Sequence, residues 1–191
     1  FNFQPVKPDL LKLDTDLPYG LTALTFRFPG ADSPDFAAAQ ILSDVLSSQR
    51  GKLFGLVPQG KALFAEFDYD TLQKSGLGYA IAGFPAGGDS TNLLNNVKAI
   101  LLAEITNGVS ADLVEAAKRR EIIGAELQKN SIDGLANAWS TAVAIENRHS
   151  PEDDINLFRA VTVDDVNRVA KKYLDFDHAI SAILTPAPSG K

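Results

Sequence analysis

Two hydrophobic periods divide the chain. Near the N-terminus Leu24, Phe26 and Phe28 alternate with Thr25 and Arg27, the period of two that marks a strand with one buried face. Leu10 to Leu13 reads as a short strand before it, with a turn around Pro18 and Gly20 between them. Further on, Leu63, Ala65, Phe67 and Tyr69 alternate with Phe64, Glu66 and Asp68. Leu77, Tyr79 and Ile81 alternate in the same way with Gly78, Ala80 and Ala82, which sets the larger side chains on one face. The polar stretch from Asp70 to Ser75 separates these two runs, so they predict an antiparallel pair. A last strand is expected over His178 to Leu184.

The other period is that of a helix. Ala38, Ile41, Leu42, Val45 and Leu46 form one stripe behind Ser33-Pro34-Asp35, where serine is placed to cap and proline to open the helix. A short helical turn over Lys52 to Val57 is stopped by Pro58 and Gly60. Leu94, Val97, Leu101 and Ile105 make a second stripe ending at Gly108, a left-handed cap by type. Ser110 opens a helix from Ala111 to about Lys129, and Ser131 another to about Arg148, with Leu135, Ala138, Trp139, Ala142 and Ile145 on its apolar side. That position makes Trp139 a core residue. Pro151 to Phe158 is a short helix, and Thr162 caps a last one bearing Val166, Val169, Ala170 and Tyr173. Strands and helices come in runs, not in strict alternation. The expected class is therefore α+β, an antiparallel or mixed sheet with helices packed on one face. Residues 1–8 read as an extended linker from a preceding domain, 9–185 as one domain and 186–191 as a tail.

Composition narrows the function. The 191 residues are 45% hydrophobic and 22% charged, ordinary for one globular domain. A net charge of −6 argues against a nucleic-acid surface, which needs clustered cations. No apolar run is long enough to span a bilayer. Cysteine is absent, which removes disulfides, thiolate metal sites and cysteine nucleophiles and fits cytosol and periplasm alike. Methionine is absent too, so the chain is read as processed or as cut from something longer.

Candidate chemistry is sparse. Gly83 to Ser90 has the glycine spacing of a phosphate loop, but Asp89 stands where the lysine belongs, and a carboxylate there repels phosphate. The stretch reads instead as a turn with Asp89 or Ser90 capping a helix. Glu146-Asn147-Arg148-His149 gives a single Glu-x-x-His pair without partners for a metal. His178 lies in an Asp-rich turn beside Asp175 and Asp177. Lys118-Arg119-Arg120 is a solvated helix face. No catalytic, cofactor-binding or metal-ligating residue is assigned in this chain.

Three ordered stretches resemble the insulinase/pitrilysin superfamily of zinc peptidases, which includes the mitochondrial processing peptidase. They are Leu24 through Asp35-Phe36 into Ile41-Leu42-Ser43-Asp44-Val45-Leu46, then Lys52-Leu53-Phe54 through Lys61-Ala62-Leu63-Phe64, and finally Ala160 through Val166 with Val169-Ala170-Lys171-Lys172-Tyr173-Leu174. The resemblance implies one of two paired homologous domains. The family's zinc motif, H-x-x-E-H with a downstream glutamate, lies on helices of the active domain. Here the equivalent helix, Phe36 to Ser48, has no histidine. The C-terminal partner domain of the family often supplies an arginine and a tyrosine. Those positions fall on Val57 and Phe64, or on Pro58 and Ala65, and neither choice keeps a cation or a phenol. The resemblance therefore implies a non-catalytic C-terminal domain with no cofactor of its own. Zn²⁺ is expected in a homologous partner domain, in the same chain or another, with unfolded peptide as substrate. Edge strands near Leu63 to Tyr69 or Leu77 to Phe84 are the expected peptide-binding edges. The alternatives are a structural member of the same superfamily, or an unrelated enzyme whose His149 or His178 meets a serine and a carboxylate in space. Bacterial relatives in the family are frequently exported.

Overall fold

The computed structural model describes residues 6–187. The N-terminal five residues of the expected linker and the last four of the expected tail lie outside these. Five strands form one sheet: β1 (Asp9–Thr15), β2 (Tyr19–Phe28), β3 (Phe64–Thr71), β4 (Gly76–Pro85) and β5 (Ile180–Pro186), in the order β1-β5-β2-β4-β3. Only β1 and β5 pair in parallel; the remaining pairs are antiparallel. The sheet is mixed.

One face of it carries the core. Leu24, Phe26 and Phe28 of β2, Ala65, Phe67 and Tyr69 of β3, and Ala80, Ala82 and Phe84 of β4 are all buried beneath the helices. In β4 this reverses the expectation: Leu77 is 45% exposed, and Tyr79 and Ile81 are only half-buried. Small residues face the core in that strand because bulk reaches it from β2. A Cβ added to Gly78 would lie 2.6 Å from the ring of Phe28, so the glycine is the socket of that ring. Burial, not side-chain size, decided the parity.

Six helices follow: α1 (Phe36–Leu46), α2 (Ser90–Asn107), α3 (Ala111–Gln128), α4 (Ile132–Ser140), α5 (Pro151–Ala160) and α6 (Val163–Tyr173). Helix α1 is buried along nearly its whole length, including Ile41 and Leu42 at 0% exposure. Its N-cap is Asp35, two positions after the serine expected to cap, and Ser33 Oγ accepts from the Asp35 N–H at 3.2 Å. Asp89 caps α2 by accepting from Asn92 N–H at 2.9 Å, so the glycine-rich stretch is a turn and a cap. Gly108 ends α2 at φ 79° and ψ 158°, a positive φ but not the left-handed helical cap. Thr162 and Asp165 close a capping box at α6.

The helix expected from Ser131 to Arg148 is shorter. It runs to Ser140, changes to a π turn over Thr141–Ile145, and ends at Asn147, whose φ is +57°. None of its α-helical residues is buried: Trp139 is 45% exposed and Ile132 88% exposed. The apolar stripe is real, but it faces outward, and Trp139 is not core. Ala142 alone turns into the interior.

Candidate functional site

Helix α1 is the element that the family resemblance makes equivalent to a zinc-binding helix. A cavity of about 510 Å³ lies against its side, between α1, α3, α5 and the α4–π-turn segment. Phe36 and Gln40 line it from α1, Arg120 and Glu121 from α3, and Glu146 and Asp154 from the opposite rim. Asp44, one turn beyond Gln40, is 7% exposed and pairs with Arg120, and its other oxygen has no hydrogen-bond partner. Burial, followed by the neighbouring Glu121 carboxyl, pushes Asp44 up to about 8 against the pull of Arg120. Glu146 is likewise pushed up to about 8, by burial and then by Asp154, against Arg148. Arg148 donates to Asp154 at 2.8 Å and to the carbonyl of Ala31 at 2.8 Å, and its guanidinium lies 5.5 Å from the centre of the Phe36 ring.

A second cluster ties α1 to α6. Asp35 accepts from Arg168 at 2.7 Å, Lys172 at 2.8 Å and the Tyr173 hydroxyl at 2.8 Å. Burial would raise the Asp35 carboxyl, but these three donors outweigh it and hold it down at about 2. Its carboxylate has all the donors it needs, and it serves the fold.

The sheet edges are β1 and β3. Strand β4, one of the two edges expected to add a peptide, is interior and pairs on both sides. Edge strand β3 is partly closed as well. Ser47 Oγ accepts from the Phe67 N–H at 3.2 Å and donates to the Phe67 carbonyl, so the middle of that edge is already satisfied.

The residues singled out in the sequence stay apart. Glu146 and His149 share no helical face, because the helix stops at Asn147; the His149 backbone N–H donates to the Asp153 carboxylate at 2.8 Å instead. His178 Nδ1 is 2.6 Å from Asp175 Oδ2 within a single 3₁₀ turn. Among the described residues no group of three or more His, Cys, Asp or Glu is placed to hold a metal ion, and no helix is long and apolar enough to cross a membrane. Arg119 and Arg120 are exposed, as expected of a solvated face, and Arg120 also reaches the buried Asp44 from there. Sequence reasoning also missed the Asp44–Glu121 and Glu146–Asp154 pairs. The one available signal was a lone acid, Asp44, inside the otherwise apolar stripe of α1.

No family model matches the chain, and no curated protein sequence matches it. Solved structures do. The inactive peptidase domain of a proposed zinc protease from Bordetella parapertussis superposes with a TM-score of 0.82 at 22% identity, covering 94% of this chain and 99% of that one. The fold is that of an M16-type inactive peptidase domain. A peptidase M16 inactive domain from Pseudomonas fluorescens matches with a TM-score of 0.79 at 18% identity, over 98% of this chain and 45% of that one. A protease from Helicobacter pylori matches with a TM-score of 0.83 at 19% identity, over 95% of this chain and 45% of that one. This chain thus spans under half the length of the latter two. At these identities the M16-type likeness is one of fold.

Proposed function

We propose that this chain is a non-catalytic, C-terminal-type domain of an insulinase-family zinc metallopeptidase. In this reading it forms part of the wall of a peptide-binding chamber, together with a homologous domain that carries Zn²⁺ and its activated water. The observation that carries the reading is the superposition over nearly the full length of both chains on an inactive peptidase domain. The α1 sequence supports it, because Gln40 and Asp44 are the polar groups on that helix near the cavity and neither is an imidazole. The outward apolar stripe of α3 and the α4–π-turn segment, with Leu127, Ile132, Trp139 and Val143 exposed, gives a partner domain something to cover.

A structural role without peptidase activity is the second reading. Supporting it, a chain of Complex III2 from Candida albicans matches with a TM-score of 0.75 at 12% identity, over 94% of this chain and 46% of that one. The two readings separate in one experiment. The chain is isolated from its source with its bound companions, and zinc content and peptide hydrolysis are measured before and after the companions are removed. The peptidase reading expects zinc and cleavage in the complex and neither in the chain alone. A stable complex without a zinc-bearing member supports the structural role, and cleavage by the isolated chain overturns both.

A further inference from the structure

The two edges of the sheet differ. On β3, Ser47 holds both polar groups of Phe67, and Asp68 Oδ1 accepts from the Tyr69 N–H at 2.8 Å. Edge strand β1 is open. The Ala187 N–H donates to the Thr15 carbonyl at 2.7 Å, which turns the Thr15 backbone toward β5. Strand alternation turns Leu11 and Leu13 the same way and points the N–H and C=O of Leu10, Lys12 and Asp14 outward. Asp9 Oδ1 covers the Leu10 N–H at 2.7 Å, and the groups of Lys12 and Asp14 stay bare. The side chains are bare as well. Leu11 and Leu13 stand beside Ala182 and Leu184 on the face turned away from the helices, 46% and 57% exposed. Lys12 and Asp14 are exposed on the other face, and neither makes an ion pair among the described residues.

A second copy can complete such an edge, with the two β1 strands antiparallel about a two-fold axis. Outward groups must face outward groups, so the axis falls at a residue and not between two. At Lys12 it would set ammonium against ammonium. At Leu11 it would call on the Leu10 N–H that Asp9 already holds, and Lys12 would face Leu10. At Leu13 it sets Lys12 of each copy opposite Asp14 of the other, so two ion pairs form where the bare main-chain groups meet. On the other face Leu13 meets Leu13 as a non-hydrogen-bonded pair, whose side chains stand closest. The cross-strand row Leu21–Leu184–Leu13 then continues into its own mirror row in the second copy. We propose that this protein self-associates through β1, antiparallel about a two-fold axis at Leu13, joining two sheets into one. Charge complementarity in that one register commits the edge to a second copy, and Lys12 guards it against the register centred on itself. A single strand pair is a small contact, so the dimer is weak, with a dissociation constant of roughly 100 µM. The inference holds whether or not the chain serves a peptidase.

Sedimentation equilibrium from about 1 µM to about 1 mM protein reads the association. The expected result is a monomer–dimer equilibrium that Lys12→Asp and Asp14→Lys each weaken by roughly tenfold or more. An equimolar mixture of the two variants should associate at least as well as the parent, because only the mixed pair places opposite charges at every contact between positions 12 and 14. Both residues are exposed, so these changes leave the fold alone. The chain has no cysteine, so one introduced thiol reports the register. Under mild oxidation Leu13→Cys should crosslink to its twin, and Leu11→Cys, set opposite Thr15 of the other copy, should not. A protein still monomeric at about 1 mM overturns the proposal and leaves the edge to a different chain. A dimer indifferent to both charge variants overturns it too, and places self-association on another face such as the α4 stripe. Crosslinking of Leu11→Cys as fast as Leu13→Cys overturns the register on which it rests.

Discussion

At Asp35 a single buried carboxylate joins the start of α1 to the end of α6 through three donors. Asp35→Asn keeps the shape and loses the charge, leaving Arg168 and Lys172 with a weaker acceptor. The expected cost is about 2 kcal/mol, read as a lower midpoint in urea. The sign with pH is fixed: the folded carboxyl lies below its unfolded value, so its contribution is complete above about pH 4 and fades as pH falls toward about 2. A variant whose acid-limb stability matches the parent would contradict this. Glycines test a different force. A Cβ at Gly30 would lie 2.4 Å from the Gln73 carbonyl oxygen and the neighbouring backbone, where nothing can rotate away. At Gly78 it meets only the Phe28 ring. Gly30→Ala should therefore be the more damaging, by roughly 1–3 kcal/mol against the parent, with Gly78→Ala milder in the same thermal melt.

Among the elements, the α4–π-turn segment departs most from its sequence. Its apolar stripe predicted a helix correctly, but periodicity says only that a face is apolar, and not that anything covers it. Here α3 lies under one side, and Trp139 and Val143 stay in solvent. Strand β4 makes the same point inversely: Gly78, Ala80 and Ala82 look like the weak face and are the core face, because rings from β2 fill their space. The strands and most helix starts were legible, since Thr162, Ser131 and Asp89 act locally through their own caps. The carboxyl pairs were not. Residues 77 positions apart in α1 and α3 meet only through the fold, and no local pattern encodes that meeting. Both pairs tie stability to pH with the opposite sign to Asp35. Each raised carboxyl stabilises fully below about pH 4, and that contribution is lost as pH rises through about 8. Asp44→Asn combined with Glu146→Gln should raise stability near pH 9 by about 2 kcal/mol and flatten its slope between pH 6 and 9. An unchanged slope in thermal melts would refute the pairing.

For the whole molecule, the ordered family-like stretches anticipated the fold that structural superposition then supplied, even though identity with the Bordetella parapertussis domain is only 22%. Those stretches cover α1, the approach to β3 and α6, the parts that pack against one another and fix the scaffold. The outward faces were illegible for the converse reason, that an apolar stripe does not say which side of it the fold covers. If a homologous domain covers α4, emission from Trp139 should shift to the blue on complex formation, and Trp139→Ala should weaken the complex by about 1–3 kcal/mol while leaving the isolated fold intact. An unshifted spectrum in a proven complex would place the interface elsewhere.

The parallel pairing of β1 with β5 carries a consequence for biogenesis. Leu11 stands opposite Ala182, so the first strand finds its neighbour only when the last one has been made. On the ribosome, β1 must wait with the backbone edge that will face β5 unpaired while residues 16–179 emerge. Until residues 180–186 have left the ribosome, this sheet cannot close along its β1 edge.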